Sequence, residues 1–213
     1  MMLNFDRATD RGQLTTIERY YRLHARIYDL TRWTFLRGRE ILRAQVAASL
    51  TPYRILEVGC GTGTNLLHLG RLFPLAELWG VDLSADMLAV TGKKLQKVGH
   101  RLTLIQSSYD RPVAQASPFD LVVFSYALTM FNPGWELALK AASLDLSPQG
   151  TIAIVDFHDS ASKTFRKWMG INHVRMDGHL LPHLIGLFPL HHWSVTQVFG
   201  GLWSYFFFLG QNP

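Results

Sequence analysis

A short apolar run, Arg54-Ile55-Leu56-Glu57-Val58, leads into Gly59-Cys60-Gly61-Thr62-Gly63, and a second, Leu78-Trp79-Gly80-Val81, ends in Asp82. Apolar segments ending in a glycine turn and in an acid have the layout of a nucleotide-type pocket at the carboxyl ends of adjacent parallel strands. Gly59 and Gly61 carry no Cβ, so the backbone there can turn sharply and approach a ligand closely. Leu66, Leu67 and Leu69 then begin a helix whose unpaired N–H groups attract an anionic ligand group. Asp82 follows Gly59 by about 20 residues, the offset of an acid that holds ribose hydroxyls.

The spacing separates one nucleotide-like ligand from another. The dinucleotide fingerprint is G-x-G-x-x-G, with its third glycine set for close packing near a pyrophosphate. Here the pattern is G-x-G-x-G, with Glu57 two residues ahead of the first glycine. A carboxylate so near the turn repels a diphosphate and favours a ligand that carries positive charge. S-adenosylmethionine meets those demands, with a sulfonium, an ammonium, one carboxylate and no phosphate.

Glu57 to Gly63 resembles the first motif of the class I S-adenosylmethionine-dependent methyltransferases, and Val81-Asp82-Leu83-Ser84 resembles the second. Phe119-Asp120-Leu121-Val122-Val123-Phe124-Ser125-Tyr126 is similar to their fourth-strand motif, and the blocks follow the family's order across 53–157. The resemblance implies an α/β fold, a doubly wound, Rossmann-like sheet of seven mostly parallel strands closed by an antiparallel hairpin, with S-adenosylmethionine as cofactor. It further implies that Glu57, Gly59, Gly61, Thr62 and Asn65 surround the methionine portion and that Asp82 holds the ribose. By the same resemblance Met87 packs on the adenine, Ser107 and Ser108 border its ring, and Ser125 and Tyr126 end the fourth strand beside the transferable methyl. Two other readings use the same residues: a dinucleotide oxidoreductase, and a turn that only packs a helix on a sheet. The second accounts for the glycines but not for the acids.

The elements that must hold these residues alternate. Strands are expected at 53–58, 76–81, 102–106, 119–124 and 151–156 with helical stretches between them, which is a parallel sheet covered on both faces. A helix from Glu40 to Ser49 stops before Pro52, and another is expected over 162–173. Residues 174–190 are rich in His, Leu, Gly and Pro and give no periodic element. His192–Phe199 and Leu202–Leu209 alternate on either side of Gly200-Gly201 and form a hairpin. Upstream, Ile17, Tyr20, Tyr21, His24, Ile27, Tyr28 and Thr31 recur at helical spacing. The chain therefore divides into 1–50, an N-terminal helical lid or membrane-facing segment, and 51–213, the cofactor-binding core.

With 213 residues, 48% of them hydrophobic and 17% charged, the chain is long and apolar enough for one globular core. Its single cysteine, Cys60, excludes a disulfide within the chain and reads as a small packing residue of the turn. Arg7, Asp10, Arg11, Glu18 and Arg19 interrupt any leader-like apolar stretch, and no run reaches the ~20 apolar residues of a membrane span. The net charge of +5 attracts anionic surfaces. A cytoplasmic protein, peripheral on the inner face of the membrane, is the expectation. His158, His173, His179, His183, His191 and His192 match no zinc spacing, so no metal is expected.

The block Tyr20 to Arg39 resembles the small bacterial N-methyltransferases of betaine-lipid synthesis, as do Asp156 to Ser160 and Asn172 to Leu180. That resemblance implies conversion of diacylglyceryl-homoserine to its trimethylated betaine lipid, with the N-terminal helix lying on an anionic surface. In-line transfer to a neutral amine calls for aromatic rings around the growing cation, for which Tyr21, Tyr28, Trp33 and Tyr126 are candidates. The family sets Tyr28 in the lid over the cofactor. His158 and His173 are the candidate proton acceptors, and Arg32 and Arg175 the candidate partners of the homoserine carboxylate. Phosphatidylethanolamine N-methylation, ubiquinone C-methylation and non-catalytic cofactor binding are the alternatives. Without a recognised binding module or stacking motif, nucleic acid is not an expected partner.

Overall fold

The computed structural model of the chain describes residue 36, residues 38–114 and residues 117–213. Tyr21, Tyr28, Arg32 and Trp33 lie outside the described residues. The elements are α1 (Gly38–Ser49), β1 (Arg54–Val58), α2 (Thr64–Leu72), β2 (Glu77–Asp82), α3 (Ala85–Lys94) and β3 (Leu102–Gln106). They continue with β4 (Phe119–Ser125), α4 (Trp135–Asp145), β5 (Leu146–Phe157), α5 (Lys163–Ile171), α6 (Leu180–Leu187), β6 (Leu190–Val198) and β7 (Trp203–Gln211). Short 3₁₀ turns occupy Gln96–Arg101 and Leu128–Met130.

The seven strands form one sheet in the order β3-β2-β1-β4-β5-β7-β6. All pairs are parallel except β5–β7 and β7–β6, so the doubly wound sheet ends in the antiparallel hairpin. Strands buried on both faces need apolar side chains at every position, and β1 and β4 have them almost throughout. Leu56, Val122, Phe124, Ile154, Phe206 and Phe208 point to the face covered by α4 and α6. Ile55, Leu121, Val123, Val155 and Phe207 point to the opposite face, covered by α1, α2 and α5.

Three local features differ from the periodic reading. α1 lies in the 1–50 segment yet packs into the core through Leu42 and Val46. A Cβ on its first residue, Gly38, would fall 2.3 Å from Val155 Cγ2, so only glycine lets the helix start so close to the sheet. β5 begins at Leu146 rather than 151, with a register irregularity between Phe119 and Leu121 and a positive φ of 64° at Gln149. α6 occupies part of the stretch that gave no element. It is apolar apart from His183, so no polar stripe advertises its period, and Pro182 falls in its first turn, where no N–H is needed.

Candidate active site

The glycine turn is tied to the end of β2. Gly59 N and Cys60 N both donate to Val81 O, at 2.8 and 3.1 Å. Gly61 N donates to Asp82 Oδ2 at 2.8 Å, and Ser84 N donates to Oδ1 at 2.9 Å. Asp82 thus holds the turn and the start of α3 together, although burial raises its carboxyl above the usual range. Gly59 has φ 66°, and a Cβ there would meet Ala127 Cβ at 2.8 Å. Gly61 has φ 54° and open space where a Cβ would stand, so its bare backbone borders the cleft. The buried Cys60 packs against Gly80, and burial pushes its thiol well above the ordinary value, which makes it a packing residue and a poor nucleophile.

A cleft of about 410 Å³ opens at the carboxyl ends of β1, β2, β3 and β4. Of the residues singled out from sequence, Gly59, Gly61, Asp82, Met87, Ser107, Ser108 and Tyr126 line it. Among the described residues its charged lining residues are Asp82 and Asp110, and no Lys, Arg or His lines it. That donor set fits a cationic ligand with a ribose and without phosphate. Among the described residues a diphosphate would face two carboxylates and no counter-charge.

Glu57, Thr62, Asn65 and Ser125 do not line the cleft. Glu57 alternates with Leu56 and Val58 on β1 and so points to the side covered by α1 and α2. Asn65 Nδ2 donates to Glu57 Oε1 at 3.1 Å, while Oε2 is buried without a hydrogen-bond partner among the described residues. Burial drives this carboxyl up to about 7, against the pull of Arg39 and Asn65. The Lys94 ammonium donates to the Thr62 hydroxyl at 3.3 Å, and Arg39 Nε donates to Ser125 Oγ at 2.8 Å.

The catalytic candidates separate. Tyr126, at φ 57°, forms a wall of the cleft, but its hydroxyl is turned to α1 and accepts from Gly38 N at 3.1 Å. Burial raises its phenol far above the ordinary range, so it shapes the cleft and does not take a proton. His158 is not at the cleft: its ring stands edge-on to Phe206 and beside Gly178, and burial lowers its pKa. His173 caps the end of α5 with φ 61°, its N donating to Gly170 O at 3.0 Å. Arg175 Nε donates to Asp177 Oδ2 at 2.7 Å. Neither His173 nor Arg175 lines the cleft, because both sit on the connection beyond β5 while the cleft gathers the ends of β1 to β4. Among the described residues no group of three His, Cys, Asp or Glu is arranged for a metal.

Several cleft residues escaped the sequence reading: Tyr109, Asp110, Ala127, Met130, Phe131 and Leu137. Tyr109 is fixed by a buried carboxylate on α4. Its hydroxyl donates to Asp145 Oδ2 at 2.6 Å, and Val113 N and Ala114 N donate to the same carboxyl group at 2.9 and 2.7 Å. A separation of 36 residues leaves no spacing signal for that clasp. Phe131-Asn132-Pro133-Gly134 did carry a signal, being a turn sequence directly after the fourth-strand motif.

Residues 55–150 match the family described as Methyltransferase domain. Malonyl-[acyl-carrier protein] O-methyltransferase of Magnetococcus marinus is 36% identical over 121 residues, 55% of this chain and 42% of that protein. The ubiquinone/menaquinone biosynthesis C-methyltransferase of Syntrophotalea carbinolica is 30% identical over 126 residues, 59% of this chain and 50% of that protein. The chain thus spans half or less of the length of these relatives. The N-methyltransferase NodS of Bradyrhizobium japonicum, solved with S-adenosyl-L-homocysteine, superposes with a TM-score of 0.69 over 83% of this chain and 86% of that one, at 17% identity. Residues 55–150 thus match a methyltransferase domain family, and the sheet that carries the cleft shares its fold with the solved NodS structure.

Proposed function

We propose that this protein is an S-adenosylmethionine-dependent N-methyltransferase that converts diacylglyceryl-homoserine to its trimethylated betaine lipid by successive transfers at a membrane surface. The observation that carries the amine half is the charge of the cleft, which among the described residues holds Asp82 and Asp110 and no basic side chain. An amine gains positive charge at each transfer and is favoured beside these two acids. Phe131 and Tyr126 add aromatic walls suited to a quaternary ammonium. Met130, Phe131 and Leu137 supply an apolar wall for the glyceryl end. The net charge of +5 supports an anionic surface as the meeting place, and no helix among the described residues is long and apolar enough to cross a membrane.

Bound in the cleft, S-adenosylmethionine supplies an electrophilic methyl carried on a sulfonium. The chain's contribution is position: the Gly59–Gly61 backbone and Asp82 fix one wall, and Tyr126 and Ala127 fix the facing one. The amine must be neutral to attack, and among the described residues no imidazole lines the cleft, so its proton is assigned to solvent. The rate should accordingly rise with pH along the amine's own ionisation, with the same profile in His158→Gln. A displaced profile in that variant would return the proton to His158.

Labelled S-adenosylmethionine with vesicles of diacylglyceryl-homoserine tests the acceptor. Label in the trimethylated lipid is expected. Label in phosphatidylcholine from phosphatidylethanolamine vesicles would reassign the headgroup. Cofactor binding by calorimetry without transfer to any lipid extract would overturn the catalytic reading in favour of a binding protein.

A further inference from the structure

A second concavity, of about 210 Å³, lies between α1 and α2, lined by Arg43, Ala44 and Ala47 of the first helix and His68, Arg71 and Leu72 of the second. It shares no residue with the cleft. Ala44 and Ala47 leave room between the helices, and among the described residues three basic side chains and no carboxylate line that room. Arg43 Nη1 donates to Asn65 Oδ1 over a long 3.4 Å. Glu40 on α1 and Glu57 on β1 act on Arg43 electrostatically, but neither lines the groove.

We propose that this groove binds a phosphate-class oxyanion, gripped by the guanidinium groups of Arg43 and Arg71 with the His68 ring as a third donor. Guanidinium forks match the oxygens of a phosphate mono- or diester, and two of them on facing helices can grip one from both sides. Holding like charges together is unfavourable until a counter-anion joins them. His68 reports that imbalance: after burial, the neighbours that lower its pKa are Arg43, Arg71, Arg39 and Lys94, all cations. An oxyanion in the groove reverses this effect and raises the His68 pKa. The same chemistry belongs to a soluble phosphate ester and to the phosphodiester of a lipid headgroup.

The His68 ring resonances, followed by NMR while inorganic phosphate is added at constant ionic strength, test the site without turnover. Failure of the methyl-transfer reading therefore leaves this test unaffected. A saturable shift and a raised His68 pKa are expected, weakened about tenfold in Arg71→Gln, a change at an exposed side chain. Ala47→Glu sets a carboxylate in the groove and should abolish the shift even if the first variant folds poorly. Co-sedimentation with phosphatidylglycerol vesicles separates the sources. Loss of sedimentation in both variants assigns the site to a headgroup, and unchanged sedimentation in variants that have lost phosphate binding assigns it to a soluble ester. Shifts that chloride reproduces at equal ionic strength, or that both variants retain, would overturn the proposal.

Discussion

Glu57 carries a carboxylate that is costly to ionise. It is buried, one oxygen lacks a partner among the described residues, and its carboxyl is driven from 4.5 up to about 7. Because the folded pKa lies above the unfolded one, the stability linked to this group is complete below about 4.5 and is lost as pH rises through about 7. Each pKa unit corresponds to about 1.4 kcal/mol, so the loss between pH 4 and pH 8 is about 3 kcal/mol. Glu57→Gln should flatten that part of the stability–pH curve in urea unfolding, and an unchanged curve would contradict the assignment. Asp82 works differently, since both of its oxygens already accept backbone N–H groups. In Asp82→Asn one of those donors faces an NH₂ group, which should cost about 1–3 kcal/mol of stability. Cofactor affinity, measured by calorimetry, should fall at least tenfold, because the turn at Gly61 loses its anchor.

At the scale of elements, two buried carboxylates fasten loops to the sandwich. Asp145 closes α4 and clasps the loop after β3 through Tyr109, Val113 and Ala114. Asp156, at the end of β5, accepts from Thr129 N, Thr129 Oγ1 and Phe157 N, fastening the 3₁₀ turn that carries Met130. Asp145→Ala strips three donors of their acceptor at once, and about 3 kcal/mol of destabilisation is expected. Faster amide exchange at Val113 and Ala114 should accompany it, with the exchange of β1 unchanged; uniform loss of protection would mean that the clasp holds the whole fold. These clasps were invisible in sequence, since a lone Asp at the end of a helix or strand carries no periodic or spacing signal. The caps were more local: Ser84 accepts from Met87 N and Ser162 from Phe165 N, each within one turn.

For the whole molecule, the division of the chain at residue 50 meets a physical test in α1. Leu42 and Val46 are fully buried against the sheet, so the packed unit includes the helix before β1. A chain starting at Leu50 would expose the apolar surface that they cover, and it should lose its cooperative thermal transition and aggregate. A sharp, reversible transition in that shortened chain would restore the boundary at 51. What the sequence by itself determined is the alternation of elements, the hairpin and the two glycine–acid blocks, because each is written in residues adjacent along the chain. Only the tertiary structure decided that Asp82 holds the turn itself, that Glu57 faces away from the cleft, and that His158, His173 and Arg175 stand apart from it. Those outcomes depend on the face to which a strand turns each side chain and on which loops the sheet order brings together, and neither is set by spacing along the chain.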